Sequence, residues 1–281
     1  MFDPQLFATG LTWPESPRWR GGFLWISDVH GFRLVRIPET GEVEEIARIP
    51  GRPSGMDIDA DGSILLATAL DGKALRIDGN GEVAEEADLS PLTLAYLNDI
   101  VTNADGWTWM GDTGFVFGRD EPVPTGRLIA YHPENGNRVV ADGIFFPNGM
   151  AISPDGATLY LAETFGKRIS SFRIGNAGSL TGRGLHAELP GSPDGICIDE
   201  EGCLWVALLF EGLFVRLAPD GTIIDRISFP NRNAIACMLG GEEGRTLYLC
   251  VAEVDRTDPD NLVRRGEIYT VPAPSPAVKR P

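Results

Sequence analysis

Short apolar runs, each closed by a turn, recur along the whole chain: Phe23-Leu24-Trp25-Ile26, Ser63-Ile64-Leu65-Leu66, Trp107-Thr108-Trp109-Met110, Ala157-Thr158-Leu159-Tyr160-Leu161, Cys203-Leu204-Trp205-Val206 and Arg245-Thr246-Leu247-Tyr248-Leu249. They are too short for buried helices, and β-branched and aromatic residues are frequent in them, so they predict strands. Each follows a turn ending in Asp-Gly or a close relative, and before the turn stands another β-prone stretch. Such a pair predicts a β-hairpin. The clearest copies begin Pro53-Ser54-Gly55-Met56, Pro147-Asn148-Gly149-Met150 and Pro193-Asp194-Gly195-Ile196, with weaker ones at Pro14-Glu15-Ser16-Pro17, Leu97-Asn98-Asp99-Ile100 and around Ala236. Between hairpins lie further strand candidates, such as Arg33-Leu34-Val35-Arg36-Ile37, Leu128-Ile129-Ala130-Tyr131 and Leu213-Phe214-Val215-Arg216-Leu217.

Aligned on the residue five positions before each copy's turn, the series Glu15, Ser54, Asn98, Asn148, Asp194, Ala236 has gaps of 39, 44, 50, 46 and 42 residues. Units of that length, with four strands apiece and six copies, predict an all-β, six-bladed β-propeller of four-stranded antiparallel blades. A strand at Gln5-Leu6-Phe7-Ala8 and one at Glu267-Ile268-Tyr269-Thr270-Val271 are expected to pair and close the ring, because a linear array would leave two bare edges. This makes residues 1–271 a single propeller domain and residues 272–281 a proline-rich C-terminal tail. The 34 glycines and 21 prolines are spread throughout, as a chain that turns often requires.

Charge and composition narrow the partners. With 24 basic and 40 acidic side chains the formal charge is −16, which repels nucleic acid and anionic lipid alike. No apolar stretch approaches bilayer length, and Met1-Phe2-Asp3-Pro4 is not the start of a secretory leader, so a cytoplasmic protein is expected. The four cysteines show no Cys-x-x-Cys spacing and read as small reduced core residues. Three scattered histidines offer little from which to build a zinc site or a Ser-His-Asp triad.

In a propeller the innermost strands line a central channel, so the aligned series becomes a ring. Glu15, Asn148, Asp194 and Asn98 then present hard oxygen donors from separate blades, the set a divalent cation such as Ca²⁺ or Mg²⁺ takes. Two carboxylates buried together without a cation would be costly unless one were protonated. Asn, Asp and Ser before Gly are also ordinary turn residues, but turn chemistry does not explain a glutamate after proline in the first copy.

Trp13-Pro14-Glu15-Ser16-Pro17, Asn98-Asp99, Phe146-Pro147-Asn148-Gly149-Met150 and Ser192-Pro193-Asp194-Gly195-Ile196 together resemble the signatures of the SMP-30/gluconolactonase/luciferin-regenerating family, over about residues 8 to 253. The resemblance implies a six-bladed propeller that hydrolyses lactones with one divalent metal in the channel. Glu15, Asn148 and Asp194 would hold the metal, and Asn98 would lie at metal and substrate. Calcium is the expected ion, with zinc, manganese, magnesium and iron as alternatives within the family. Two departures stand out. Glu15-Ser16-Pro17 replaces the family's usual Glu-Gly-Pro, and Tyr96 stands where sugar-lactone members carry an arginine that binds substrate hydroxyls. A flat, largely apolar ring in place of a fork of donors points to a lactone less polar than a sugar lactone.

The expected mechanism is metal-assisted opening of a cyclic ester, with Asp194 as general base and Asn98 positioning the carbonyl or oxyanion. Tyr96, Asp112, Glu163 and Phe165 are candidate substrate-binding residues around the mouth, although Asp112 and Glu163 are equally suited to hydrogen bonds within the blades. The irregular segment from Gly114 to Gly126 is a candidate lid. Other readings are a non-catalytic binding or interaction propeller, a strictosidine-synthase-like propeller condensing an amine with an aldehyde without metal, and a paraoxonase-like esterase. The oxygen-donor set disfavours the first two, and the scarcity of histidine disfavours the last. A small-molecule lactone is the expected partner, and a closed ring is expected to be monomeric.

Overall fold

A computed structural model describes residues 2–116, 125–255 and 263–278. It contains six four-stranded antiparallel sheets arranged as the blades of a propeller. Their inner strands are Pro14–Arg20, Pro53–Ile58, Leu97–Thr102, Pro147–Ile152, Pro193–Ile198 and Asn233–Gly240, for blades 1 to 6 in that order. In blades 1 to 5 the chain runs outward through consecutive hairpins. Blade 6 is composite: Gln5–Leu11 is its outermost strand and pairs with Val263–Pro272, with Gln5 opposite Thr270 and Leu11 opposite Gly266. The two ends of the chain thus close the ring as the repeat pattern predicts.

The core lies between blades. Trp109 and Leu128 of blade 3 pack with Leu159, Leu161 and Phe172 of blade 4, and Trp205 and Phe214 of blade 5 with Leu247, Leu249 and Val251 of blade 6. Each sheet is apolar on both faces because each face is covered by a neighbouring blade, which is why the strands read as apolar runs with little alternation. Among the described residues no helix is long and apolar enough to cross a membrane. All four cysteines are buried and free of disulfides.

The described part of the proline-rich end, expected as a tail, lies against the body. Ala273 and Ser275 are buried, the Ala277 N–H donates to Gly244 O (2.9 Å), and the Glu200 N–H donates to Pro276 O (3.0 Å). The segment ties the turn between the inner and second strands of blade 6 to the corresponding turn of blade 5. Prolines lack a donor but keep their carbonyls, so a proline-rich segment can still accept such bonds.

One backbone feature prepares the centre. In every blade the pairing between the inner and second strands slips near the channel end: between Glu15 and Arg18, Pro53 and Met56, Leu97 and Ile100, Pro147 and Met150, Pro193 and Ile196, and Ala234 and Ala236. A bulge bends the strand and re-aims the side chain it carries. Ser54, Asn98, Asn148 and Asp194 fall inside these slips, and Glu15 at the edge of one.

Candidate active site

Inner strands converge so tightly that glycine is required beside the ring. A methyl group on Gly149 would lie 2.5 Å from Asp194 O, and one on Gly195 would lie 2.4 Å from Ala236 Cβ. This is why Pro-Asn-Gly and Pro-Asp-Gly recur: the residue before the glycine carries the functional group, and the glycine lets the next blade approach.

The two ring amides use N–H groups to bind neighbouring blades. Asn98 Nδ2 donates to Pro147 O (3.2 Å) and Asn148 Nδ2 donates to Thr164 Oγ1 (3.0 Å), whose hydroxyl donates onward to Pro193 O (2.8 Å). With the nitrogens so engaged, each amide oxygen is left as the acceptor. Thr164 is a site-shaping residue that the sequence did not single out; its only signal is its place just after the second strand of blade 4. Glu15 Oε1 accepts from Trp13 Nε1 (3.0 Å). Asp194 is 2% exposed, and its Oδ1 is buried with no hydrogen-bond partner.

Electrostatics single out the same pair. Burial, and then the charge of Asp194, push the Glu15 carboxyl well above the usual range; burial pushes Asp194 up as well, opposed in part by a hydrogen bond from Asn148 and helped by the Asp99 charge. Asp99 is raised by burial, offset in part by Arg18 and by Ser16. Ser16 sits at φ +48°, a conformation that favours glycine, and its Oγ donates to Asp99 Oδ1 (2.9 Å) while accepting from Met56 N (2.8 Å). The family's glycine is thus replaced by a hydroxyl that fastens blade 1 to blades 2 and 3. Two acids with raised proton affinity, one with an orphaned oxygen, beside two amide oxygens make a hard-donor set that fits a divalent cation.

A second acidic cluster behaves differently. Asp199, Glu201 and Cys203 bring potential ligand atoms within 4.8 Å of one another at the turn between the inner and second strands of blade 5. Arg216 already occupies it: Nη2 lies 2.5 Å from Asp199 Oδ2 and 3.0 Å from Glu201 Oε2, while Asp199 Oδ1 accepts the Glu201 and Cys203 N–H groups. A cation supplied by the chain leaves no need for an external one.

Around the mouth, two expected substrate contacts need correction. Asp112 and Glu163 are fully buried, and their oxygens are committed to their own blades. Asp112 accepts the N–H groups of Leu94, Ala95 and Gly114, and Glu163 accepts from Phe145 N, Ser170, Arg168 and Arg183. Burial raises the Glu163 carboxyl, but these donors together outweigh it and hold it below the usual range. Asp28 does the same for Thr12 and Trp13 in blade 1, so an acid at the end of the second strand is a recurring tie for the segment entering the channel.

Phe165 does face a cluster, with its ring centroid 5.3 Å from Phe115 and 4.8 Å from Phe146. The segment expected as a lid belongs to the described structure only at 114–116 and 125–126; residues 117–124 lie outside the described residues. Tyr96 is covered by a residue that sequence reasoning missed: the Arg52 guanidinium stands 5.0 Å above its ring centroid. Arg52 precedes Pro53 just as Phe146 precedes Pro147, and both have φ +62°. That shared phase was the available signal. His30, packed edge-on against Trp13 at 6.0 Å, is held down to about 4 by burial and by the charges of Arg264 and Arg52, so it is neutral at neutral pH.

Comparison with known proteins follows the same lines. The sequence profile of the SMP-30/Gluconolactonase/LRE-like region matches residues 13–253. A 6-deoxy-6-sulfogluconolactonase of Pseudomonas putida is 28% identical over 252 residues, covering 86% of this chain and 84% of that one. The Arabidopsis thaliana protein strictosidine synthase-like 6 is 32% identical over 205 residues, covering 66% of this chain and 53% of that one. Among solved structures, a luciferin-regenerating enzyme superposes with a TM-score of 0.82 at 19% identity, over 99% of this chain and 100% of that chain.

Proposed function

The chain belongs to the SMP-30/gluconolactonase/LRE-like family, and from that premise we propose that it is a metal-dependent lactonase, opening a cyclic ester at the channel mouth. A divalent cation, calcium first among the family's alternatives, would be held by Glu15, Asn148 and Asp194 with Asn98 at its edge; the chemistry it supplies when bound is Lewis acidity toward a carbonyl and toward water. The observation that carries this reading is the buried, unpartnered Asp194 Oδ1 beside a second raised acid.

The remaining work falls to the chain itself. Asp194, with one carboxylate oxygen for the cation, uses the other as acceptor for a proton from water: the water oxygen bonds to the acyl carbon, the ring C–O bond breaks, and the proton passes to the departing ring oxygen, giving a hydroxy acid. Asn98 donates one of its two Nδ2 hydrogens to Pro147 O, so the other remains for the developing oxyanion. Phe115, Phe146 and Phe165 provide an apolar wall that suits a ring less polar than a sugar. The small, closed ring is read as a monomer acting on a small molecule.

The test is turnover of aliphatic, aromatic and sugar lactones by the wild type, by Asp194→Ala and after chelation. Undiminished hydrolysis under the last two conditions would end the proposal. The strictosidine synthase-like relative keeps a condensing reading in play; product formation from an amine and an aldehyde, persisting in chelator, would favour it.

A further inference from the structure

The mouth holds a cation that the fold does not use. Among the described residues, Arg52 is the half-buried arginine whose guanidinium has neither an acid nor a carbonyl as partner, and its Nε is buried without any hydrogen bond. Arginines elsewhere in the blades are tied down: Arg18 to Asp57 and Asp99, Arg33 to Asp28, Arg76 to Glu86, Arg168 and Arg183 to Glu163, Arg216 to Asp199. In a chain of net charge −16, an arginine drawn away from water with no acid beside it is conspicuous. Burial lowers its proton affinity, and no carboxylate offsets that effect.

Its placement is built. The left-handed backbone at Arg52, fixed between Ile49 O and Ala69 N, throws the side chain across blade 3 onto the Tyr96 ring. Stacking fixes the plane of the guanidinium and leaves its edge donors for something else. From Arg52 the contact with Tyr96 leads to the channel, since Tyr96 lies two residues before Asn98; on the other side its charge is felt by His30, which packs on Trp13, the donor to Glu15. The group is therefore at the rim of the proposed catalytic centre.

We propose that Arg52 is the specificity-determining residue of the mouth and that the substrate is a lactone bearing an oxyanion substituent, in the simplest case a carboxylate, bound by the guanidinium edge while Tyr96 stiffens it. This rests on the lactonase reading and refines it. With Arg52 reaching Tyr96 from blade 2 and the Phe146 and Phe165 rings on the side of blade 4, the site selects an amphipathic ring, acidic towards blade 2 and apolar towards blade 4.

The test uses a matched pair with the same ring, 5-oxotetrahydrofuran-2-carboxylate and its primary carboxamide, with ring opening followed by chromatography. Wild type is expected to favour the carboxylate in kcat/KM by at least about tenfold, the size of one charge-assisted interaction. Arg52→Gln is expected to bring that ratio near one, and Arg52→Lys to leave a few-fold preference, because an ammonium lacks the planar fork. No preference in the wild type, or a preference that survives Arg52→Gln, overturns the proposal. Thermal melts report folding, and should Arg52→Gln not fold, the wild-type ratio and its change in Arg52→Lys decide. If neither lactone is opened, the lactonase reading has failed separately. Calorimetric binding of the carboxylate then decides: affinity lost about tenfold in Arg52→Gln upholds the anion site, and absence of binding refutes it.

Discussion

Two acidic clusters in this propeller have similar composition and opposite electrostatics. At the turn between the inner and second strands of blade 5, Asp199 and Glu201 share Arg216, and the remaining Asp199 oxygen is taken by backbone N–H groups. At the axis, burial raises the proton affinity of both Glu15 and Asp194, the Asp194 charge raises that of Glu15 further, and one Asp194 oxygen has no partner. A frame acid is satisfied by the chain, whereas a site acid is left for something the chain does not contain. The distinction separates structure from function more sharply than burial does, since Asp199 and Asp194 are both buried.

Mutation is the strongest way to press that contrast. Asp194→Ala is expected to lower lactone turnover by about 10³-fold, the scale of losing a positioned base, while Asp199→Ala should leave turnover intact. Stability should reverse the order: Asp199→Ala removes the buried partner of Arg216, leaving it only the more exposed Glu201 and Asp225, and is expected to cost about 3 kcal/mol in denaturant unfolding. Removing metal comes next. Chelation should lower the melting temperature of the wild type, by the equivalent of about 2.7 kcal/mol if the ion was present at a hundred times its dissociation constant, and should not move that of Asp194→Ala.

The smallest effect is a pH test of the frame. Glu163 has its folded pKa depressed, so its stabilisation is present above the unfolded value near ~4.3 and is lost as pH falls through the folded value. Glu163→Gln should therefore cost about 1–2 kcal/mol at neutral pH, from lost charge-assisted hydrogen bonds, and the gap to wild type should close on acidification. A gap that did not narrow would mean that Glu163 is not held as a charged acceptor.

Much of this was legible before any coordinates. The Pro-x-Gly phrase, its spacing and the paired apolar runs gave the blade count, and the phase of the phrase put Glu15, Asn98, Asn148 and Asp194 at one level of the ring. Asp112 and Glu163 were harder to place, because an acid next to an aromatic in a loop reads the same whether its oxygens face a ligand or a backbone N–H. Arg52 was only half legible for a related reason: its phase before Pro53 places it at the rim, but an arginine there carries no sign of whether it reaches solvent, an acid or a neighbouring ring. The proline-rich end misled because composition reports the lack of donors and says nothing of where the carbonyls dock.

The sequence by itself determined the local period, the strand and turn chemistry and the phase at which oxygen-bearing side chains repeat, since these depend on residues a few positions apart. Only the tertiary structure decided which charges are already neutralised. Pairing depends on groups brought together from different blades and strands, 17 residues apart for Asp199 and Arg216 and 44 apart for Arg52 and Tyr96, and Coulomb and hydrogen-bond energies follow distance in space, not distance along the chain.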